Sequence, residues 1–220
     1  MVSPTIKSTK RKTLKIFSFI AVSLPILIGL SSESPAQARK SAEVKSIDAY
    51  CKTVDAIRKK HKKPDLIFAD TADTNEHKEK WRKFASEKAL DKFRENSETY
   101  SIAYNWQSGG RVVASNFTLF SGSGDWAKYV YHYFRQDGSL ARVESELRTF
   151  YGDYIVSKYH YFDPQGRLID KSFKYLDLQT KKPKKPTAEF IGENSTWDEV
   201  DYYKKTSKLP FVRHLPRGSQ

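Results

Sequence analysis

Glu144 and Glu146 alternate in the stretch Arg-Val-Glu-Ser-Glu-Leu-Arg, residues 142–148. On an extended strand they point the same way, about 7 Å apart at the backbone. That separation suits the acid and base of an inverting glycosidase, so the pair is the catalytic candidate. Tyr129, Tyr131, Arg142, Tyr159 and Tyr161 surround it in the expected sheet. They are ligand-binding candidates, the tyrosines as flat amphipathic contacts and the charged groups as polar handles. The same residues also read as an ordinary water-facing sheet with charges of alternating sign. No nucleophile motif accompanies them. Gly122-Ser123-Gly124 lacks the strand–turn–helix setting of a serine-hydrolase elbow, and no phosphate-cradling glycine motif is present.

The histidines are His61, His77, His132, His160 and His214. No two have the spacing of a helical zinc motif, and one cysteine cannot build a zinc knuckle. Neither a metal nor another cofactor is expected. Cys51 shares a helix face with Ile47 and Val54, which makes it a buried, inert thiol.

The formal charge is +13 and is unevenly spread, since residues 96–178 hold nine acids against nine bases. The excess lies before and after them. Two basic runs are anion-surface candidates: Arg58, Lys59, Lys60, Lys62 and Lys63, and then Lys181, Lys182, Lys184 and Lys185. The N-terminus says which anion to expect. A basic start (Lys7 to Lys15), an apolar run from Ile16 to Leu30 and Ala36-Gln37-Ala38 have the layout of a secretory signal cleaved after Ala38. The apolar run is short of the roughly 20 residues a membrane helix needs. The protein is therefore expected in the periplasm or the medium, and not as an integral membrane protein after cleavage. Nucleic acid is not an expected partner there. An anionic lipid surface, a wall polymer or another envelope protein is.

These side chains need elements to position them. Val44, Ile47, Cys51, Val54 and Ile57 recur at helical steps and predict a helix over 41–60. Leu66-Ile67-Phe68 reads as a short buried segment. Trp81, Ala85, Ala89 and Phe93, spaced by four, predict a second helix over 75–93, opened by a capping box at Asp73 and Glu76. From there aromatic and β-branched runs cut by glycine turns predict six strands: 99–106, 111–120, 127–134, 139–150, 154–162 and 167–177. Short connections make them an antiparallel meander. The expected fold class is thus α+β: two N-terminal helices packed on a six-stranded sheet, one domain over 39–178. Residues 179–220 form a basic tail, extended at its Pro/Lys stretch and partly disordered. Phe190, Trp197, Tyr202 and Leu209-Pro210-Phe211 could dock back onto the domain, and disorder is expected from His214.

Tyr131-His132-Tyr133-Phe134 with Gly138 and Leu140 recurs as Tyr159-His160-Tyr161-Phe162 with Gly166 and Leu168. These two units resemble the YD or Rhs family of β-hairpin repeats, and no function is carried over from that resemblance. If the turns close symmetrically, His132 lies opposite Ala141 and His160 opposite Ser145. The two rings are then about 13 Å apart along the strand and about 10 Å across it, too far to share an ion. The same register sorts the sheet into two faces. Val130, His132, Phe134, Ala141, Val143, Leu147, His160, Phe162, Ile169 and Phe173 form the core face beneath the helices. Tyr129, Tyr131, Arg142, Glu144, Glu146, Arg148, Tyr159 and Tyr161 form the other, with Glu144 between Tyr129 and Tyr161. The favoured function is a non-catalytic envelope or secreted binding module. The alternative is a secreted hydrolase acting on an envelope or polysaccharide substrate through its sheet carboxylates.

Overall fold

The computed structural model describes residues 35–72, 78–193 and 202–216. The leader up to residue 34, the cap at Asp73–Glu76, His77 and Trp197 lie outside the described residues. Among the described residues no helix is long and apolar enough to cross a membrane.

Helix α1 runs Pro35–His61. It ends where Lys62 turns left-handed (φ 57) and Pro64 bars continuation. Strands β1 (Leu66–Asp70) and β2 (Trp81–Phe84) follow, then helix α2 (Glu87–Arg94). The meander comes next: β3 (Ser101–Ser108), β4 (Arg111–Phe120), β5 (Trp126–Phe134), β6 (Leu140–Thr149), β7 (Tyr154–Phe162) and β8 (Leu168–Asp177). Helix α3 (Ala188–Glu193) and two short 3-10 turns close the chain. All eight strands form one antiparallel sheet in the order β2-β1-β3-β4-β5-β6-β7-β8.

The expected architecture is corrected here. The sheet has eight strands, not six, and one long helix rather than two precedes the meander. The four-residue stripe misled because its members belong to different elements. Trp81 and Phe84 are the buried ends of a four-residue strand whose middle residues are exposed, and they face opposite sides of the sheet. The helix starts later, at Ser86, whose Oγ accepts from the Ala89 N–H at 3.2 Å. Leu66–Ala69 is buried on both faces, which an unbroken apolar run allows and alternation would not. Asp70 secures the new hairpin, its Oδ1 accepting from the Lys80 N–H at 2.7 Å.

The register of the sheet also differs. Tyr133 pairs with Arg142 but Phe134 with Leu140, so Ala141 is a bulge. Thr149 pairs with Tyr154 across the next turn. Both shifts move toward each other, and His132 and His160 each fall opposite Val143. The expected offset along the strand is gone; only two strand steps, about 10 Å, separate the rings. Glu144 likewise lies between Tyr131 and Tyr159, not Tyr129 and Tyr161. The β7–β8 hairpin closes in the same way as β5–β6, with a bulge after Tyr161 and a left-handed glycine, Gly166, where the first has Gly138.

Each face has its own cover, and the helices lie on the face opposite to the expected one. α1 crosses the face that carries the tyrosines: Ile47, Cys51 and Val54 pack on Ala114, Tyr133, Ala141 and Tyr161. Ala141 and Ile169, assigned to the other face, lie here because they are the bulged residues. α2 covers the same face at the β1–β2 corner. The more apolar face, with Phe117, Val130, Phe134, Val143 and Phe162, is covered by the chain's end through Leu209, Phe211 and Leu215. Leu215 is buried although disorder was expected from His214. Phe173 is on that face too but stands 63% exposed on the edge strand. The terminal segment is tied to the β5–β6 turn, where Leu140 N–H donates to Lys204 O and Thr206 N–H to Gly138 O, both at 3.0 Å. Gly138 has φ 78, and a Cβ there would meet Thr206 Oγ1 at 2.5 Å, so the turn and the docking both need glycine.

His132 links this cover to pH. Its Nε2 accepts from the Tyr203 N–H at 3.3 Å while Nδ1 faces the Val130 carbonyl at 3.3 Å. A neutral ring satisfies both; a protonated one turns a donor against a donor. Burial pushes the imidazole down from 6.5 to about 4. Between those values the unfolded chain holds a proton that the folded chain refuses. Stability is therefore full above pH 6.5 and falls as pH drops toward 4. From this residue alone the loss is about 3 kcal/mol. Urea unfolding across that range should show it, and His132→Asn should flatten the acid limb.

Candidate functional site

The tyrosine face is divided by α1 into a covered half and an open half. In the covered half Arg142, 8% exposed, donates through Nη1 to Asp48 of α1 at 2.6 Å and through Nη2 to Glu144. Asp55, one heptad along α1, accepts from Arg58 at 2.8 Å and from the Tyr133 hydroxyl at 3.1 Å. Tyr133 also reaches Glu144 at 3.5 Å. The guanidinium of Arg142 lies over the rings of Tyr133 (4.8 Å) and Tyr161 (5.9 Å), and that of Arg58 between Trp106 (4.7 Å) and Tyr131 (4.6 Å). The Tyr50 hydroxyl donates to the Phe134 carbonyl. Burial pushes the Glu144 carboxyl above its ordinary range even with Arg142 beside it. It likewise raises the Tyr133 phenol, helped by the Glu144 and Asp55 charges.

This arrangement is a charged clasp between helix and sheet. Its parts are legible in α1 only in hindsight: Asp48 and Asp55 flank the apolar stripe seven residues apart, facing the sheet. Tyr133, left out of the ligand candidates, is central to it. Cys51 sits within it, fully buried, its thiol pushed up to about 12 by desolvation.

No family model, curated protein or solved structure matches this chain.

The two sheet carboxylates are placed in unlike surroundings. Glu144 is in the clasp, roofed by α1. Glu146 is in the open half, paired with Arg148 at 2.7 Å. A glycosidase needs one carboxyl to protonate a leaving group and the other to activate water across an intervening sugar. A helix stands where that sugar would lie against Glu144. Of the tyrosines, Tyr161 and Tyr131 line the clasp, Tyr159 borders both halves with Lys174 over its ring at 5.9 Å, and Tyr129 lies in the open half beneath Arg148 at 5.3 Å.

The basic candidates separate as well. Arg58 is held between two rings, and Lys184 is turned inward, donating to Gly152 O at 2.7 Å and lying over the Tyr154 ring at 4.5 Å. Its segment lies against β8, where Lys184 N–H donates to Tyr175 O and Asp177 N–H to Lys182 O. Lys59, Lys60, Lys62, Lys63, Lys181, Lys182 and Lys185 are exposed. So are Lys45 and Lys52, which stand outside the basic runs. Positions 45, 52 and 59 are seven apart and fall on one line of the helix, about 21 Å long and about 120° round from Ile47 and Cys51. Ala42, Ala49 and Ala56 are exposed beside them.

Proposed function

We propose that the protein is an exported, non-catalytic binding module of the cell envelope or its surroundings, docking on an anionic polymer or lipid surface through the outer face of α1. One observation carries this reading. The acids of α1 that lie beside the lysine line, Asp48 and Asp55, are half-buried toward the sheet and are both used by the clasp. Lys45, Lys52 and Lys59 consequently form a ridge whose ammonium groups make no ion pair among the described residues. A row of flexible ammonium groups with small alanines between them suits phosphate-rich or carboxylate-rich chains, which demand charge rather than a shaped pocket. The neutral sheet and the paired carboxylates support binding over hydrolysis.

Changing Lys45, Lys52 and Lys59 together to Gln should cut retention on phosphatidylglycerol vesicles and on soluble polyphosphate. At about 1 kcal/mol for each lysine near such a surface, the loss is about a hundredfold. Binding of the unaltered protein should weaken steeply with salt, as the screening length is about 8 Å at physiological strength. Loss on vesicles alone would assign the ridge to lipid, and loss on polyphosphate alone to a polymer. Unchanged retention on both would refute the proposal.

A further inference from the structure

Five large apolar side chains stand exposed among the described residues, and three of them gather at one end of the sheet. Phe150 (63%) and Tyr151 (40%) come from the turn between β6 and β7, and Ile191 (49%) from α3. Tyr151 stacks on Phe190, the neighbour of Ile191, with ring centroids 6.0 Å apart. Phe190 packs in turn on Tyr154 at 4.1 Å, so turn and helix are held as one piece. Gly152 permits this approach: its φ is 66, and a Cβ there would meet the Tyr154 ring at 2.6 Å. Most of the turn's main chain is satisfied from within. The Phe150 N–H donates to Asp125 O at 3.0 Å, the Asp153 N–H to Phe150 O at 3.2 Å, and the Tyr151 N–H to Thr149 Oγ1 at 3.1 Å. The Gly152 carbonyl accepts from Lys184 Nζ at 2.7 Å, and the Asp153 carbonyl from Leu178 N–H at 2.9 Å. Such internal pairing suits a layer poor in water, where a bare peptide group is costly.

Lysines border the rings. The segment 178–187 is pinned beside the turn by the Leu178 bond and by the Tyr154 hydroxyl, which donates to Lys185 O at 3.4 Å. It holds four lysines and no acid. Lys184 is turned inward, with Asp177 at 3.3 Å, while Lys181, Lys182 and Lys185 are exposed. Phe150 and Lys181 line one open depression together with Trp126 and Leu178. Asp125, Asp153 and Glu189 are exposed nearby and offset part of the charge. The rings must therefore supply a large share of any attraction.

We propose that this end of the sheet docks on an anionic lipid bilayer. Phe150 and Tyr151 enter the boundary between headgroups and acyl chains, and Lys181, Lys182 and Lys185 meet the headgroup phosphates. Aromatic rings favour that depth, Tyr151 with its hydroxyl still at the wet side. The lysines reach the phosphates on flexible apolar stems while the rings are inserted. A soluble polyanion would offer the lysines a counter-charge but the rings nothing, which favours the bilayer. The proposal stands on the turn and does not rest on the ridge of α1.

Spin labelling of the full chain on phosphatidylglycerol vesicles tests it. A nitroxide on Phe150→Cys sets an apolar group where the ring was, and Cys51, fully buried, stays unlabelled. The label should be relaxed by oxygen, which dissolves in lipid, and shielded from a water-soluble nickel chelate. The same label on Lys208→Cys, an exposed position away from the turn, should stay open to the chelate. A label on Ile191→Cys leaves both rings in place and should also be immersed. Adding Phe150→Ser to that chain should shift its partition toward water about tenfold, the expected share of one mostly exposed ring. Changing Lys181, Lys182 and Lys185 together to Gln should shift it by a similar factor, about tenfold. Changing Lys45, Lys52 and Lys59 to Gln should leave the label at 150 immersed, so failure of the ridge and failure of this site are told apart. A label at 150 that stays in water on vesicle-bound protein would overturn the inference. So would a chain that does not bind the vesicles, or a label at 191 indifferent to Phe150→Ser.

Discussion

Arg142→Ala should destabilise the protein by about 3–5 kcal/mol, the cost of leaving buried charges without their partner. Arg142 is the only cation contacting both Asp48 and Glu144 among the described residues. Without it the Glu144 carboxylate remains beneath α1 with only the long Tyr133 contact at 3.5 Å. Two ring contacts go with it, so part of the loss is packing rather than charge. The double variant Arg142→Met, Glu144→Leu should recover much of the stability, because it removes the orphaned carboxylate as well as the cation. Urea unfolding of the two variants measures this, and the result expected is strong non-additivity. Hydrogen exchange should place the damage in α1, whose amides lose protection before those of the central strands. If Arg142→Ala cost less than about 1 kcal/mol, as an exposed pair would, the clasp would not be what holds the helix.

Phe211→Ala should cost a similar amount, about 3–5 kcal/mol, as expected for a large ring removed from a closed core. Phe211 is fully buried, stacked on Phe68 at 4.3 Å and set against Trp81 (5.4 Å) and Phe117 (5.8 Å). It comes from the last turn of the described chain, so the effect separates a structural cover from a loose tail. Lys208→Ala, three residues earlier and exposed, should stay within about 0.5 kcal/mol of the unaltered protein. A drop in the unfolding midpoint for Phe211→Ala with none for Lys208→Ala is the outcome to look for. Equal, negligible effects would mean that the apolar face does not need this cover.

Local pattern determined much of this protein. The periodicity of Val44, Ile47, Cys51 and Val54 specified α1 and the side it buries, because helical spacing requires no knowledge of the partner. Alternation and glycine turns specified the six strands of the meander to within a residue or two, since a hairpin's turn and its strands are neighbours in the chain. What tertiary structure decided was everything that depends on a distant segment. β1 and β2 are too short to announce themselves; they are strands because β3 offers β1 an edge. The bulge at Ala141 and the turn between Thr149 and Tyr154 moved the register by amounts no symmetric turn predicts, and with it which residues face each other across Val143 and Glu144. The choice of cover for each face was also made at long range. A face of tyrosines and charges looks solvated when read alone. It becomes buried once Asp48, Asp55 and Arg58 arrive from α1 to satisfy it, and the apolar face is then left to a C-terminal segment whose composition allows docking through Leu209 and Phe211 but does not say on which face.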